Sequence, residues 1–114
     1  MVETYDFQVA EANSSLHNRN TVALAFCVSG SAWAREGNLD RAITDFDTAL
    51  TMEPSIPGAF VNRANAWARK GDLERAIADL DAELRFHPHD TMALKNRELI
   101  MRQERGANSD PGHN

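Results

Sequence analysis

The protein is a chain of 114 residues, a length typical of a single domain. Hydrophobic residues make up 42% of it and charged residues 25%, which excludes a disordered or fibrous chain. Seventeen acidic against twelve basic residues give a net charge of −5, which argues against a nucleic-acid-binding protein. No apolar run is long enough to cross a bilayer, and the first residues lack the basic and apolar segments of a secretion signal, so we expect a cytoplasmic protein without membrane contact. The lone cysteine, Cys27, fits a reducing compartment.

The sequence contains an internal repeat with a period of 34 residues. Residues 23–56 match residues 57–90 at 15 of 34 aligned positions. The matches include large, small and turn-forming residues: Phe26/Phe60, Trp33/Trp67, Gly37/Gly71, Ala42/Ala76, Ile43/Ile77, Leu50/Leu84 and Pro54/Pro88. Identities of such different chemical kinds indicate a duplicated structural unit.

Each unit is predicted to be a pair of antiparallel helices. Phe26 and Trp33 lie seven residues apart, which places them on one face of a first helix. Gly37 is suited to end that helix, and Asn38 to cap the next. Apolar residues then recur at intervals of three and four until Pro54 closes the unit.

These motifs resemble the tetratricopeptide repeat, a unit of 34 residues that forms two helices. The spacing Trp33, Gly37, Ala42, Phe46 and Pro54 carries the resemblance, and its copy runs from Trp67 to Pro88. The segment Asn62 to Leu84 is similar to near-consensus units of small bacterial repeat proteins. The resemblance implies an all-α fold, an α-solenoid of two full repeats (23–56 and 57–90). Three positions depart from the family pattern: Glu83 replaces a small residue, and Ser29 and Arg63 replace a frequent leucine.

Residues 91–105 continue the register as a third first helix, which we expect to cap the solenoid. Ala93 and Arg97 repeat Ala59 and Arg63, and Asp90 is suited to cap the helix. The predicted domain therefore spans residues 21–106. The polar residues 107–114 are predicted to be a disordered tail.

Residues 1–20 are predicted to be either a disordered flank or a degenerate capping helix. In the same register, the segment from 5 to 17 matches the second helix of a repeat. The aligned pairs are Tyr5/Leu39, Asp6/Asp40, Val9/Ile43, Ala12/Phe46 and Leu16/Leu50. Gln8 departs from the pattern because it stands where alanine occurs in both repeats.

No combination of residues indicates catalysis, and we expect neither an enzyme nor a cofactor. His87, His89 and Asp90 share one turn, but the intervening Pro88 and the lack of a thiolate disfavour a metal site. Cys27 has no histidine near it in sequence and is interpreted as a small semi-buried residue.

The family resemblance implies a protein-binding scaffold whose concave surface is lined by the first helices. On that surface the sequence places cations and amides, which suit an acidic or C-terminal peptide segment. The predicted partner-binding residues are Arg35, Asn62, Asn65, Arg69, Lys95, Asn96 and Arg102. Val61 stands where the chaperone-binding members carry a lysine, which disfavours a heat-shock chaperone clamp. The alternative is a structural protein that forms a homodimer through apolar residues at its exposed ends.

Overall fold

The structure, a computed structural model, describes the backbone of residues 2–109 and the side chains of residues 18–106. That part of the chain forms five helices: α1 (Val2–Arg35), α2 (Leu39–Met52), α3 (Ala59–Arg69), α4 (Leu73–Phe86) and α5 (Thr91–Ser109). The predicted all-α fold of paired helices is confirmed. None of these helices combines the length and the apolar character that a bilayer span requires.

The turns inside the two repeats have the same local chemistry. Gly37 and Gly71 adopt positive φ angles of 85° and 90°, a conformation that costs glycine little. The side chains of Asn38 and Asp72 then accept hydrogen bonds from backbone N–H groups in the first turns of α2 and α4. Each first helix therefore ends, and each second helix begins, where the sequence predicts.

Helix α1 is longer than a first helix of a repeat. It runs without a break from Val2 to Arg35, so residues 2–20 do not form a separate helix folded back on the first repeat. The sequence has neither glycine nor proline before Gly30, so nothing local ends the helix. How the side chains of residues 1–17 pack lies outside the described residues.

Helix α5 also exceeds its predicted length. The sequence predicts an end near residue 105, but the helix continues to Ser109. Gly106 therefore lies inside the helix, where glycine is tolerated at a cost of about 1 kcal/mol. Residues 110–114, which belong to the predicted disordered tail, lie outside the described part of the chain.

The helices stack in two layers. Each helix packs against the next in sequence, and the first helices α1, α3 and α5 also contact one another in turn. Leu80 and Phe46, both fully buried, lie on the inner faces of the second helices, and Ile100 of α5 extends the core of the second repeat. Burial of these faces drives the stacking, because a single helix pair cannot bury its apolar side alone.

The small residues of the first helices allow close packing. A Cβ atom built on Gly30 would lie only 2.8 Å from the ring of Phe46. The second repeat has Ala64 in place of the smaller Gly30 and Leu80 in place of the larger Phe46. The tryptophans lie at the edge of the core, half-buried, with the guanidinium of Arg41 4.7 Å from the Trp33 ring centre and the equivalent pair in the second repeat at 4.8 Å.

A row of polar contacts joins the two layers. Arg63 on α3 donates two hydrogen bonds to Asp79 of its own repeat, at 2.8 and 2.7 Å, and one to Asp47 of the preceding repeat, at 2.7 Å. Arg97, one repeat later, donates to Asp81 at 2.6 Å. Arg63, which replaces the family's frequent leucine, thus forms a bidentate ion pair within its own repeat and a single contact with Asp47 that joins the two repeats.

Candidate functional site

The first helices leave a groove, the surface formed by α1, α3 and α5 away from the second helices. Its first cleft lies between α1 and α3 and has a volume of about 280 Å³. Polar and small side chains line it: Ser31, Ala34, Arg35, Asn62, Asn65 and Arg69, over Phe46 and Ala66. This cleft brings together four of the seven side chains that the sequence predicts for partner binding.

A second cleft lies between α3 and α5, with a volume of about 570 Å³. It is lined by Asn65, Ala68, Arg69, Asn96, Leu99, Ile100 and Gln103. Asn65 and Arg69 belong to both clefts, so the two form one continuous groove. Leu99 is 56% exposed and supplies an apolar contact surface there.

Hydrogen bonds hold the central side chains of the groove in place. The Asn96 amide Nδ2 donates to Asn65 Oδ1 at 3.3 Å, which leaves a donor on Asn65 and an acceptor on Asn96 for a peptide backbone. Arg69 Nη1 donates to the carbonyl oxygen of Ala34 at 2.8 Å, next to the C-terminal end of α1. The negative end of the α1 dipole stabilises the guanidinium there, and its other N–H groups remain for an anionic ligand.

Two predicted binding residues on α5 lie apart from this centre. Lys95 is exposed and lines neither cleft. Arg102 is also exposed, and its Nη2 donates to Glu98 Oε1 at 2.8 Å. Because Glu98 balances the charge of Arg102, the cationic part of the groove is concentrated at Arg35 and Arg69.

Leu99 is an apolar residue of the groove that is not among the predicted partner-binding residues. Leu99 follows Glu98 and precedes Ile100, and the sequence alone does not tell which of the apolar neighbours is buried. In the structure Ile100 is 5% exposed and belongs to the core, so Leu99 faces the second cleft. Its helical spacing from Asn96 and Gln103 places the three on one face of α5.

The turn between α4 and α5, which carries both central histidines, has a structural role. His87 Nε2 lies 3.0 Å from the carbonyl oxygen of Ser55, and Asp90 accepts a hydrogen bond from the backbone N–H of Ala93 at the start of α5. Across the described part of the chain, no three histidine, cysteine or acidic side chains come together as a metal site would require. Cys27 is half-buried, and burial raises the pKa of its thiol.

Glu83 is a fully buried acid beside that turn. Neither of its carboxylate oxygens makes a hydrogen bond of ordinary geometry, although the carboxylate of Asp90 and the backbone of Gly58 lie close enough to influence it. Burial, followed by the neighbouring Asp90, raises the pKa of Glu83. The departure from a small residue therefore places a carboxyl group in the core, where its neutral form is favoured.

Comparisons with known proteins agree with the repeat. The family model of the tetratricopeptide repeat matches residues 30–91, more than half of the chain. The chain belongs to the tetratricopeptide-repeat family. Comparison with curated proteins finds no match.

A solved structure supports the same tetratricopeptide-repeat fold. The chain is similar to the first tetratricopeptide repeat domain of Spaghetti (RPAP3) bound to the HSP90 peptide SRMEEVD, with a TM-score of 0.69 and 23% sequence identity. The match covers 71% of this chain and 64% of that one, so this chain spans less than two thirds of that structure. At this identity the likeness shows the fold.

Proposed function

We propose that this tetratricopeptide-repeat protein is a non-catalytic interaction module that holds an extended peptide segment in its groove. The observation that carries the proposal is the continuity of the two clefts through Asn65 and Arg69. A groove built on the rigid helices α1, α3 and α5 is preorganised, which lowers the entropic cost of binding. The solved Spaghetti structure, a domain of the same fold bound to an HSP90 peptide, supports a peptide as the ligand.

The peptide that suits this groove is acidic or ends in a free carboxylate. Arg35 and Arg69 provide cations beside the first cleft, whereas the amides of Asn65 and Asn96 suit a peptide backbone. The chain as a whole carries a charge of −5, so the cationic groove is also the part of the surface to which an acidic segment is steered. Two and a half repeats offer an interface below about 1,200 Å², for which we expect micromolar affinity.

The test is binding of a peptide library displayed in two forms, with free and with amidated C-termini. Wild-type protein is compared with the double variant N65A/R69Q, and we expect at least a tenfold loss of affinity for acidic peptides. R85Q serves as the matched control, because Arg85 is an exposed arginine on α4, in the layer away from the groove. Circular dichroism checks that all variants keep their helicity.

The outcomes separate the parts of the proposal. A loss restricted to peptides with free C-termini identifies a carboxylate-end site, and an equal loss for amidated peptides identifies an internal acidic segment. If N65A/R69Q binds its peptides as the wild type does, the groove is not the binding surface. If basic peptides bind better than acidic ones, the predicted charge preference is wrong.

A further inference from the structure

One face of α5 has no helix packed against it in the described part of the chain. We use the name outer face for the side of α5 that carries Leu94, Arg97, Glu98 and Met101. The residues 34 positions earlier on α3 pack against α4, the second helix of the same repeat. Among the described residues α5 contacts only α3 and α4, and Arg97, at the edge of the outer face, reaches α4 through Asp81. Leu94 is accordingly 49% exposed.

The ion pairs show what is missing at this face. Arg63 binds two carboxylates, that of Asp79 in the second helix of its own repeat and that of Asp47 in the preceding one. Arg97 is the equivalent residue of α5 and binds only Asp81, the counterpart of Asp47. No described residue binds Arg97 as Asp79 binds Arg63, and the side chain of Arg97 is 38% exposed.

The sequence contains one further segment with the pattern of a second helix, residues 5–16. Its apolar residues Val9 and Leu16 stand in the register of Ile43 and Leu50. Residue 11 in that register is the counterpart of Asp45 and Asp79, and it is a glutamate. The segment therefore supplies an acid at the position that would bind Arg97.

The sizes of facing residues provide a second, independent match. In the first repeat Gly30 faces Phe46, the largest side chain at that position. In the second repeat Ala64 and Leu80 share the same apolar cluster. On α5 the corresponding residue is Glu98, whose exposed carboxylate pairs with Arg102, and residue 12 of the N-terminal segment is alanine, which is small enough to leave that ion pair in place.

Residues 5–16 cannot reach α5 of their own chain. They belong to the continuous helix α1, which packs against the first repeat from Ala23 onward, while residues 18–22 are exposed. At a rise of about 1.5 Å per residue, they extend roughly 10–27 Å beyond Ala23. Helix α5 lies at the opposite end of the stack.

We propose that the protein self-associates by docking residues 5–16 of one copy, as a second helix, on the outer face of α5 in another copy, where Glu11 binds Arg97. The contact places a segment with the pattern of a second helix against a first helix that has no such partner in the described part of the chain. Gln8, which stands where Ala42 and Ala76 are fully buried, makes this contact looser than the packing inside a repeat.

Charge reversal of the proposed ion pair tests the contact. Sedimentation velocity over a hundredfold concentration range measures the dissociation constant of wild-type protein and of R97E, E11R and the double variant R97E/E11R. We expect each single reversal to weaken self-association by about tenfold or more, because it places like charges together, and the double reversal to restore it. In an equimolar mixture of R97E and E11R, each variant should associate weakly with itself. The two variants should associate with each other, because every contact between them pairs opposite charges.

Matched controls carry the same change of charge outside the contact. R85E reverses an exposed arginine on α4, and E3R reverses a glutamate outside the segment 5–16, so neither should alter the dissociation constant. Residue 11 lies outside the repeats, so E11R should leave the fold intact. A weaker self-association of E11R then reports the contact and not the fold. A wild-type protein that stays monomeric at every concentration overturns the proposal. Self-association that E11R leaves unchanged, or that R97E/E11R does not restore, overturns it equally.

Discussion

Replacing the buried Glu83 with glutamine should stabilise the protein at neutral pH. The side chain is fully buried and its carboxylate oxygens have no hydrogen-bond partner of ordinary geometry. Glutamine keeps the shape of the side chain, removes the charge and retains an N–H group that can donate to the nearby Asp90. The substitution therefore changes the electrostatics of the site with little change in packing.

The sign of the pH dependence follows from the raised pKa of Glu83. Between its ordinary value of 4.5 and the raised value, the folded protein binds more protons than the unfolded chain. The free energy of unfolding of the wild type must therefore fall as pH rises through that window, and the loss is complete above the raised pKa. The pKa of Asp90 is lowered, chiefly by the N–H of Ala93, so its linked contribution lies at lower pH.

The expected magnitude is the cost of a buried acceptor without a partner, about 1–3 kcal/mol. E83Q should exceed the wild type by that amount at pH 8, and the two should converge near pH 4.5, where the wild-type acid is neutral as well. In a domain of this size, each kcal/mol corresponds to roughly 4–8 °C in Tm.

Urea denaturation followed by circular dichroism, at intervals from pH 4.5 to 8.5, measures both proteins. E74Q is the matched control, because Glu74 is an exposed glutamate on the same helix, and its substitution should shift stability by less than about 0.5 kcal/mol at any pH. A stability difference between E83Q and wild type that does not vary with pH would refute the argument from burial.

Three further outcomes follow from the packing. Gly30→Ala should destabilise the protein by about 1–3 kcal/mol in urea denaturation, because the new Cβ would lie 2.8 Å from the Phe46 ring. F46L should relieve most of that loss, since the second repeat pairs Ala64 with Leu80. If G30A has the same effect in the wild type and in F46L, the contact is contradicted. Arg63→Met should lower the free energy of unfolding by about 3 kcal/mol or more, since it leaves the 8% exposed side chain of Asp79 without its partner. R63M/D79L should recover stability. An unaltered Tm for R63M would contradict this interpretation. Cys27 should react with iodoacetamide at pH 8 more slowly than a free thiol, because burial raises the pKa of its thiol. Unfolding in urea should restore the rate. Equal rates in native and unfolded protein would show that burial does not protect Cys27.

The tandem helix pairs were predictable because their signals are local and duplicated. Gly37 and Asn38 end one helix and cap the next by chemistry confined to two residues, and Gly71 and Asp72 repeat it. The continuity of α1 was not predictable in the same way. Its signal is weaker, because it is the lack of any glycine or proline before Gly30. The register of residues 5–17 matches a second helix, which would require a turn before residue 21.

The candidate site was less predictable than the fold. The family resemblance placed Asn62, Asn65 and Arg69 on one surface, and in the structure the three line the same cleft. Whether Lys95 reaches a cleft depends on the orientation of α5 against α3, and the pairing of Arg102 with Glu98 depends on rotamers. Such details are set by tertiary packing, which the repeat period does not specify.

The two proposed contacts use opposite sides of α5 and should therefore be independent. At about 100° per residue, the groove residues Asn96, Leu99 and Gln103 cluster on one side of the helix, and Leu94 and Arg97 fall on the other. Ile100 packs α5 into the core between the two surfaces, so a contact on one surface leaves the position of the other unchanged. Peptide affinity measured by fluorescence anisotropy should thus be the same for R97E and wild type at protein concentrations that do and do not support self-association. A peptide affinity that rises with self-association would mean that the second copy contributes to the groove, and the separation of the two surfaces would be wrong.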